Sequence, residues 1–234
     1  MKDTEKAKKT GEIKSHFEDL SKRYDRVILK NIPLYDEFLD TMVDLISFEK
    51  DSVLNIMDLG CGTGNLTKRI KKDYPNARIF CIDISPKMLE VAKLKLKDCR
   101  DIKYSVKDFY DIKFENKYDV VLSSFSLHHI ITDDDKKSFY QKIYNSLNKN
   151  GIFFNLDVIL GSNDTLQNCY MEAWEKYLRN EYSESEVKEI IIQYYKEDSP
   201  AKLRDQIKWL EAIGFRNVDV IMKYYNFAIY GGIK

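Results

Sequence analysis

The sequence predicts an α/β protein built on a doubly wound, mostly parallel sheet of seven strands, and three observations carry that expectation. From Val53 onward, short β-branched runs alternate with helical stretches. The early strands are apolar on both faces, as parallel strands covered by helices on each side must be. The first of them runs directly into a glycine-rich turn, Gly60 to Gly64, that opens a helix.

The elements follow in order. Ile13, Phe17, Leu20, Tyr24 and Val27 recur every three to four residues, which predicts an amphipathic helix over Glu12 to Arg26. Pro33 is expected to open a second helix, with Leu34, Phe38, Met42, Leu45 and Ile46 on one face. Strands are expected at Val53 to Leu59, Arg78 to Ile84, Ile102 to Val106, Tyr118 to Ser124 and Ile152 to Ile159. Ser85 with Pro86 reads as a cap followed by proline at the first helical position. Thr132 to Asp135 puts acidic residues at a helix start, and Gly151 is expected to close that helix.

After Ile159 the alternation stops, and an aromatic, helical insertion runs from Gly161 to about Asp198. Its second helix is announced by Ser183 with Glu186 three residues on, the capping-box spacing. Ser199 and Pro200 are expected to cap a last helix ended by Gly214. Two strands, Arg216 to Met222 and Tyr224 to Tyr230, then follow so closely that they must be antiparallel. The expected organisation is one domain over residues 1–234. It comprises a helical lid (1–50), a binding core (51–160), a helical cap (161–199) and a closing helix with its hairpin (200–234).

Composition narrows the function. The 234 residues carry 38 Lys+Arg against 38 Asp+Glu, are 44% hydrophobic, and include only nine Gly, four Pro and four Cys. That excludes a disordered, collagen-like or disulfide-stapled chain. A net charge near zero provides no long-range field for phosphate backbones, so a nucleic-acid partner is disfavoured. The first residues mix Lys with Asp and Glu and lack a signal-like apolar run, and no stretch approaches the ~18 apolar residues of a membrane helix. A cytoplasmic protein without a membrane partner is expected. Cys61, Cys81, Cys99 and Cys169 show neither CxxC nor zinc-ligand spacing, which suits reduced packing thiols. Monomer and homodimer both stay open.

The chemistry is concentrated where Asp58, Leu59, Gly60, Cys61, Gly62, Thr63 and Gly64 lead into Asn65. A dinucleotide turn of GxGxxG type would place its third glycine at position 65, which is Asn. The spacing is DxGxGxG, and the carboxylate of Asp58 would repel a diphosphate but suit an ammonium. Here the chain resembles the class I S-adenosylmethionine-dependent methyltransferases, from about Phe17 to the C-terminus, with their Rossmann-like fold and antiparallel C-terminal hairpin.

The resemblance implies S-adenosyl-L-methionine as cofactor, S-adenosyl-L-homocysteine as product, and a set of site residues. Gly60, Cys61, Gly62 and Gly64 would form the cofactor turn. Asp83, about 20 residues on, would take the ribose hydroxyls, with Ile84 on the adenine face and Met88 among the cofactor contacts. Asp108 and Phe109 would contact the adenine amino group and ring. Ser124 and Phe125 would line the methionine end, and Tyr24 would close over the cofactor.

His128 and His129 follow the fourth strand where the donor methyl should point, and are the candidate general bases. Rings of adjacent histidines diverge in an extended segment, so no metal is expected there. Trp174, Tyr177 and Tyr225 are candidate acceptor contacts, although aromatics at helical spacing also serve as core. Methyl transfer to a small-molecule acceptor is the expected function. The rivals are a methyltransferase for tRNA or protein, a synthase of the carboxy-S-adenosylmethionine type that alters the cofactor, a nicotinamide oxidoreductase, and a cofactor-binding regulator.

Overall fold

The computed structural model describes residues 3–234. Its centre is a sheet of β1 (Asn55–Leu59), β2 (Arg78–Asp83), β3 (Ile102–Val106), β4 (Tyr118–Ser124), β5 (Leu147–Val158), β6 (Arg216–Tyr224) and β7 (Phe227–Ile233). The strands lie in the order β3-β2-β1-β4-β5-β7-β6. The first five are parallel, and β7 pairs antiparallel with both β5 and β6. The connections diverge between β1 and β4, which leaves a crevice at the carboxyl edge, the place where such sheets bind ligands.

Strand alternation divides the core in two. Ile56, Val120, Leu122 and Leu156 face one side, with α3 (Tyr35–Asp44) and α4 (Asn65–Asp73). Met57, Leu59, Val121 and Phe153 face the other, with α6 (Asp133–Ser146) and α9 (Leu203–Ile213). Burial on both faces is why these strands read as continuous apolar runs. The Ser85 hydroxyl accepts the Met88 N–H at the start of α5 (Pro86–Lys95), and the Thr132 hydroxyl accepts the Asp135 N–H at the start of α6. Ser183 and Glu186 complete a reciprocal capping box on α8 (Glu184–Glu197).

Several boundaries differ from the sequence expectation. The single helix over residues 12–26 is two, α1 (Asp3–Leu20) and α2 (Tyr24–Asn31). They separate where the Ser21 hydroxyl donates back to the Glu18 carbonyl at 2.9 Å. The helix expected at Pro33 begins at Tyr35, after Leu34 in the left-handed conformation. Gly151 does not close α6, which ends at Ser146. β5 has already begun at Leu147, and a register shift against β4 absorbs the extra residues.

Ser199 and Pro200 do not cap α9 either. Residues 201–202 are drawn into extended pairing with Leu160, whose N–H donates to the Ala201 carbonyl at 3.0 Å, so the helix waits until Leu203. The first hairpin strand runs two residues further than expected, to Tyr224, the second is displaced to Phe227–Ile233, and they are joined by Tyr225 and Asn226 alone. The insertion forms α7 (Asp164–Leu178) and α8, and is tied to α2 by polar contacts. Trp174 Nε1 donates to the Asn31 carbonyl at 2.8 Å, and the Tyr182 hydroxyl donates to Asn31 Oδ1 at 2.8 Å.

Candidate active site

The turn after β1 takes its shape from glycine at two places, for different reasons. Gly60 has φ +69°, and a Cβ on it would lie 2.3 Å from Cβ of Ser126 in the loop after β4. Only glycine lets the two loops pass. Gly62, at φ +53°, faces open space, and an added Cβ would meet only a Tyr24 ring carbon at 4.0 Å. Glycine there keeps the cavity free for a ligand to lie against backbone.

Asp83 closes the ring around that space. One carboxylate oxygen accepts the Gly62 N–H at 2.8 Å and the other accepts the Ser85 N–H at 2.8 Å. Burial pushes its pKa up to about 6. Asp83, Ile84, Met88, Asp108, Phe109, Phe125, Gly60, Gly62 and Tyr24 line one cleft, and Ile13 and Phe17 of α1 border it. Asp108 is partly buried, which raises its pKa, and its Oδ1 accepts the Tyr110 N–H at 3.1 Å. Two carboxylates at the ends of adjacent strands, separated by an apolar slot, suit a nucleoside with ribose hydroxyls and a ring amine.

Asp58, Cys61, Gly64 and Ser124 lie behind this wall. Asp58 shares strand parity with Ile56 and therefore points toward α4, where it accepts the Thr67 hydroxyl at 2.6 Å while Oδ1 has no partner. Burial pushes its pKa up to about 7, so it is poorly suited to hold an ammonium directly. Its place is under the loop. Cys61 packs into the core, and Gly64 turns toward Leu96.

Helix α2 is fastened to the same loop. Asp25, in the first turn of α2, accepts from the Thr63 hydroxyl at 2.5 Å and from Asn65 Nδ2 at 3.1 Å, and pairs with Lys95 at 2.6 Å. Burial works against ionisation of Asp25, but these hydrogen bonds and the Lys95 charge outweigh it and lower its pKa. Tyr24 is thereby held between two cavities. Burial raises its phenol well above the ordinary value, so it stays neutral.

The second cavity encloses about 1470 Å³, open mouth included, between α1, α2, α7 and α8. It shares Phe17, Tyr24, Phe125 and His129 with the first. Phe125 has φ +51°, a costly conformation for an aromatic residue, and is held there by its N–H bond to the Leu156 carbonyl at 2.7 Å. The strained backbone directs its ring to the junction.

The two histidines are not in an extended segment. Leu127–His129 form a single 3₁₀ turn, and the two imidazole centroids lie 4.1 Å apart. His128 Nδ1 is hydrogen-bonded to Asp157 Oδ1, and its Nε2 lies 3.5 Å from Asp198 Oδ1. Burial disfavours protonation of His128, but the Asp157 and Asp198 charges outweigh it and raise its pKa. Burial, aided by His128, lowers His129 well below the ordinary value and keeps it neutral. Glu197 is pushed up to about 7 by burial and by Asp198.

Of the expected acceptor contacts, Trp174 lines this cavity, whereas the Tyr177 hydroxyl turns to the Leu29 carbonyl at 3.3 Å and Tyr225 sits on the exposed hairpin turn. Sequence reasoning missed Asp157, Asp198 and Glu197. Asn155 and Asp157, two apart in an otherwise apolar strand, were the available signal for the first. Nothing local marked the other two, which the cap brings in.

Residues 56–151, which hold the glycine loop and both carboxylates of the cleft, match the family model of a methyltransferase domain. A carboxy-S-adenosyl-L-methionine synthase of Helicobacter pylori (strain G27) is 29% identical over 90% of both chains. A malonyl-[acyl-carrier protein] O-methyltransferase of Acetivibrio thermocellus is 29% identical over 60% of this chain and 47% of its own. The fold is shared with phosphoethanolamine N-methyltransferase 2 of Haemonchus contortus in complex with S-adenosyl-L-methionine. That match has a TM-score of 0.63 at 20% identity, covering 88% of this chain and 45% of that one. Among the described residues no helix is long and apolar enough to cross a membrane.

Proposed function

We propose that this enzyme transfers the methyl group of S-adenosylmethionine to a small molecule held in the cavity between α1, α2, α7 and α8. The observation that carries this reading is the junction. Phe17, Tyr24, Phe125 and His129 belong to both cavities, so a donor on the glycine loop and an acceptor under the cap meet at one aperture. The bound cofactor supplies an electrophilic methyl on a sulfonium. The protein's task is alignment and exclusion of water.

In this reading, Asp83 and Asp108 hold the nucleoside by its hydroxyls and ring amine. Phe125 and the neutral Tyr24 form the dry collar around the reacting atoms. The corner of His128, His129 and Asp198 orients the acceptor, with Asp157 fixing the His128 ring. The four free cysteines support a reducing, cytoplasmic setting. The test is incubation with methyl-labelled S-adenosylmethionine and a cell extract together with its small-molecule fraction. Label in the low-mass fraction is expected, whereas label on RNA or protein overturns the reading.

A second reading has one observation in its favour. The relatives named carboxy-S-adenosyl-L-methionine synthase align along nearly the whole chain, cap included. Mass spectrometry of the nucleoside product separates the two. S-adenosylhomocysteine marks methyl transfer, and a carboxylated S-adenosylmethionine marks synthesis.

A further inference from the structure

We propose that His128, His129 and Asp198 form a binding site for one divalent transition-metal ion of the zinc type at the inner wall of the cap cavity. Their donor atoms all lie within 4.8 Å of one another. Asp198 Oδ1 is 3.5 Å from His128 Nε2 and 3.5 Å from His129 Nδ1. Ligands about 2.1 Å from a tetrahedral ion stand about 3.4 Å apart, so these separations are too long for hydrogen bonds and right for two edges of a coordination shell.

The surroundings support the same assignment. Among the described residues neither buried ring nitrogen of His129 has a side-chain hydrogen-bond partner, which leaves the ring free to take a ligand. His128 gives Nδ1 to Asp157, which fixes the tautomer and leaves the Nε2 lone pair facing Asp198. A histidine whose second nitrogen is held by a carboxylate is the usual support of a metal-bound imidazole. Two imidazoles and one carboxylate suit zinc and its first-row neighbours rather than magnesium or calcium.

The three ligands come from two places. The histidines stand on the 3₁₀ turn after β4, and Asp198 ends α8, so an ion would fasten the cap to the sheet edge. All three line the cap cavity, which leaves the fourth coordination position directed into it. Three protein ligands with one open position is the arrangement of a catalytic rather than a structural zinc. If that cavity holds the acceptor, as proposed above, the fitting acceptor carries an oxygen donor such as a hydroxyl, phenol or carboxylate.

The site is tested by metal occupancy, independently of turnover. Chelator-stripped wild type, His129→Ala and Asp198→Asn are dialysed against zinc and, separately, cobalt(II). Circular dichroism and a cooperative thermal transition confirm that each variant is folded. About one equivalent of zinc is expected on the wild type, with affinity at least tenfold lower in both variants. Cobalt should give visible d–d bands without a thiolate charge-transfer band. Absent stoichiometric binding, equal affinity in the variants, or a thiolate band that survives His129→Ala would each overturn the site. Zinc bound as expected while methyl label goes to RNA or protein would uphold the site and overturn the small-acceptor reading instead.

Discussion

The two cavities that meet at Phe125 are built in different ways. The floor of the donor cavity is made at the ends of β1, β2 and β3, from backbone groups and from side chains next to them in sequence, beneath α1 and beside the loop after β4. Asp83 is bonded to the N–H groups of Gly62 and Ser85. The acceptor cavity is made from side chains brought together across the chain, such as His128 with Asp198 and Trp174 with Asn31. A site made of turns tolerates little change in backbone, whereas a site made of packed helices can be respecified one side chain at a time.

Substitutions on either side put that contrast at risk. The largest effect belongs to Gly60→Ala, whose Cβ would meet Ser126 at 2.3 Å at a positive φ. It should lower S-adenosylhomocysteine affinity by about 100-fold and stability by about 2 kcal/mol. Calorimetry checks both, and unchanged cofactor affinity would contradict the backbone account of the donor side. Next comes Asp157→Asn, which removes the carboxylate that orients His128. Turnover should fall about 100-fold while cofactor affinity stays within about twofold. A matching loss of cofactor affinity would erase the division between the two halves.

A third, smaller effect is pH-dependent. Asp83 must be ionised to accept from ribose hydroxyls, and its carboxyl in the ligand-free protein titrates at about 6. Affinity for S-adenosylhomocysteine should therefore fall about tenfold from pH 7.5 to pH 5, and Asp83→Asn should flatten the profile. Ligand-free stability runs the other way. A folded pKa raised above the unfolded one favours the protonated fold, so this contribution is full below about pH 4 and lost as pH rises through about 6. Thermal midpoints at pH 5 and pH 7.5, compared between wild type and Asp83→Asn, give the sign.

The smallest effects lie on the cap. Trp174→Phe loses the 2.8 Å bond to the Asn31 carbonyl and should raise the acceptor KM a few-fold, at a cost of about 1 kcal/mol in stability. Tyr225→Ala, on the exposed turn, should leave KM unchanged. A large Tyr225 effect would mean that the cavity extends past the hairpin.

Much of the fold and of the donor cavity is legible in the amino-acid sequence. Parallel strands announce themselves because they are buried on both faces, and caps because Ser85, Thr132 and Ser183 satisfy orphan N–H groups a few residues away. Boundaries shift where long-range pairing overrides local signals, as when Leu160 draws residues 201–202 out of α9. Strand parity, which no local signal reveals, places the Asp58 side chain under the loop against Thr67. The His128 and His129 rings do not diverge as expected, because the chain forms a turn where an extended backbone was assumed.

Dihedral freedom and short-range periodicity are local properties, so the strands, the glycine loop and the acids beside it are written in the chain itself. Folding in three dimensions adds what those properties cannot specify: Phe125 is strained into the junction, and Asp157 lies behind His128. The same is true of Asp198, which closes the corner from the end of α8. Such contacts join residues 29 and more positions apart, and no local preference encodes which distant carboxylate a buried imidazole will meet.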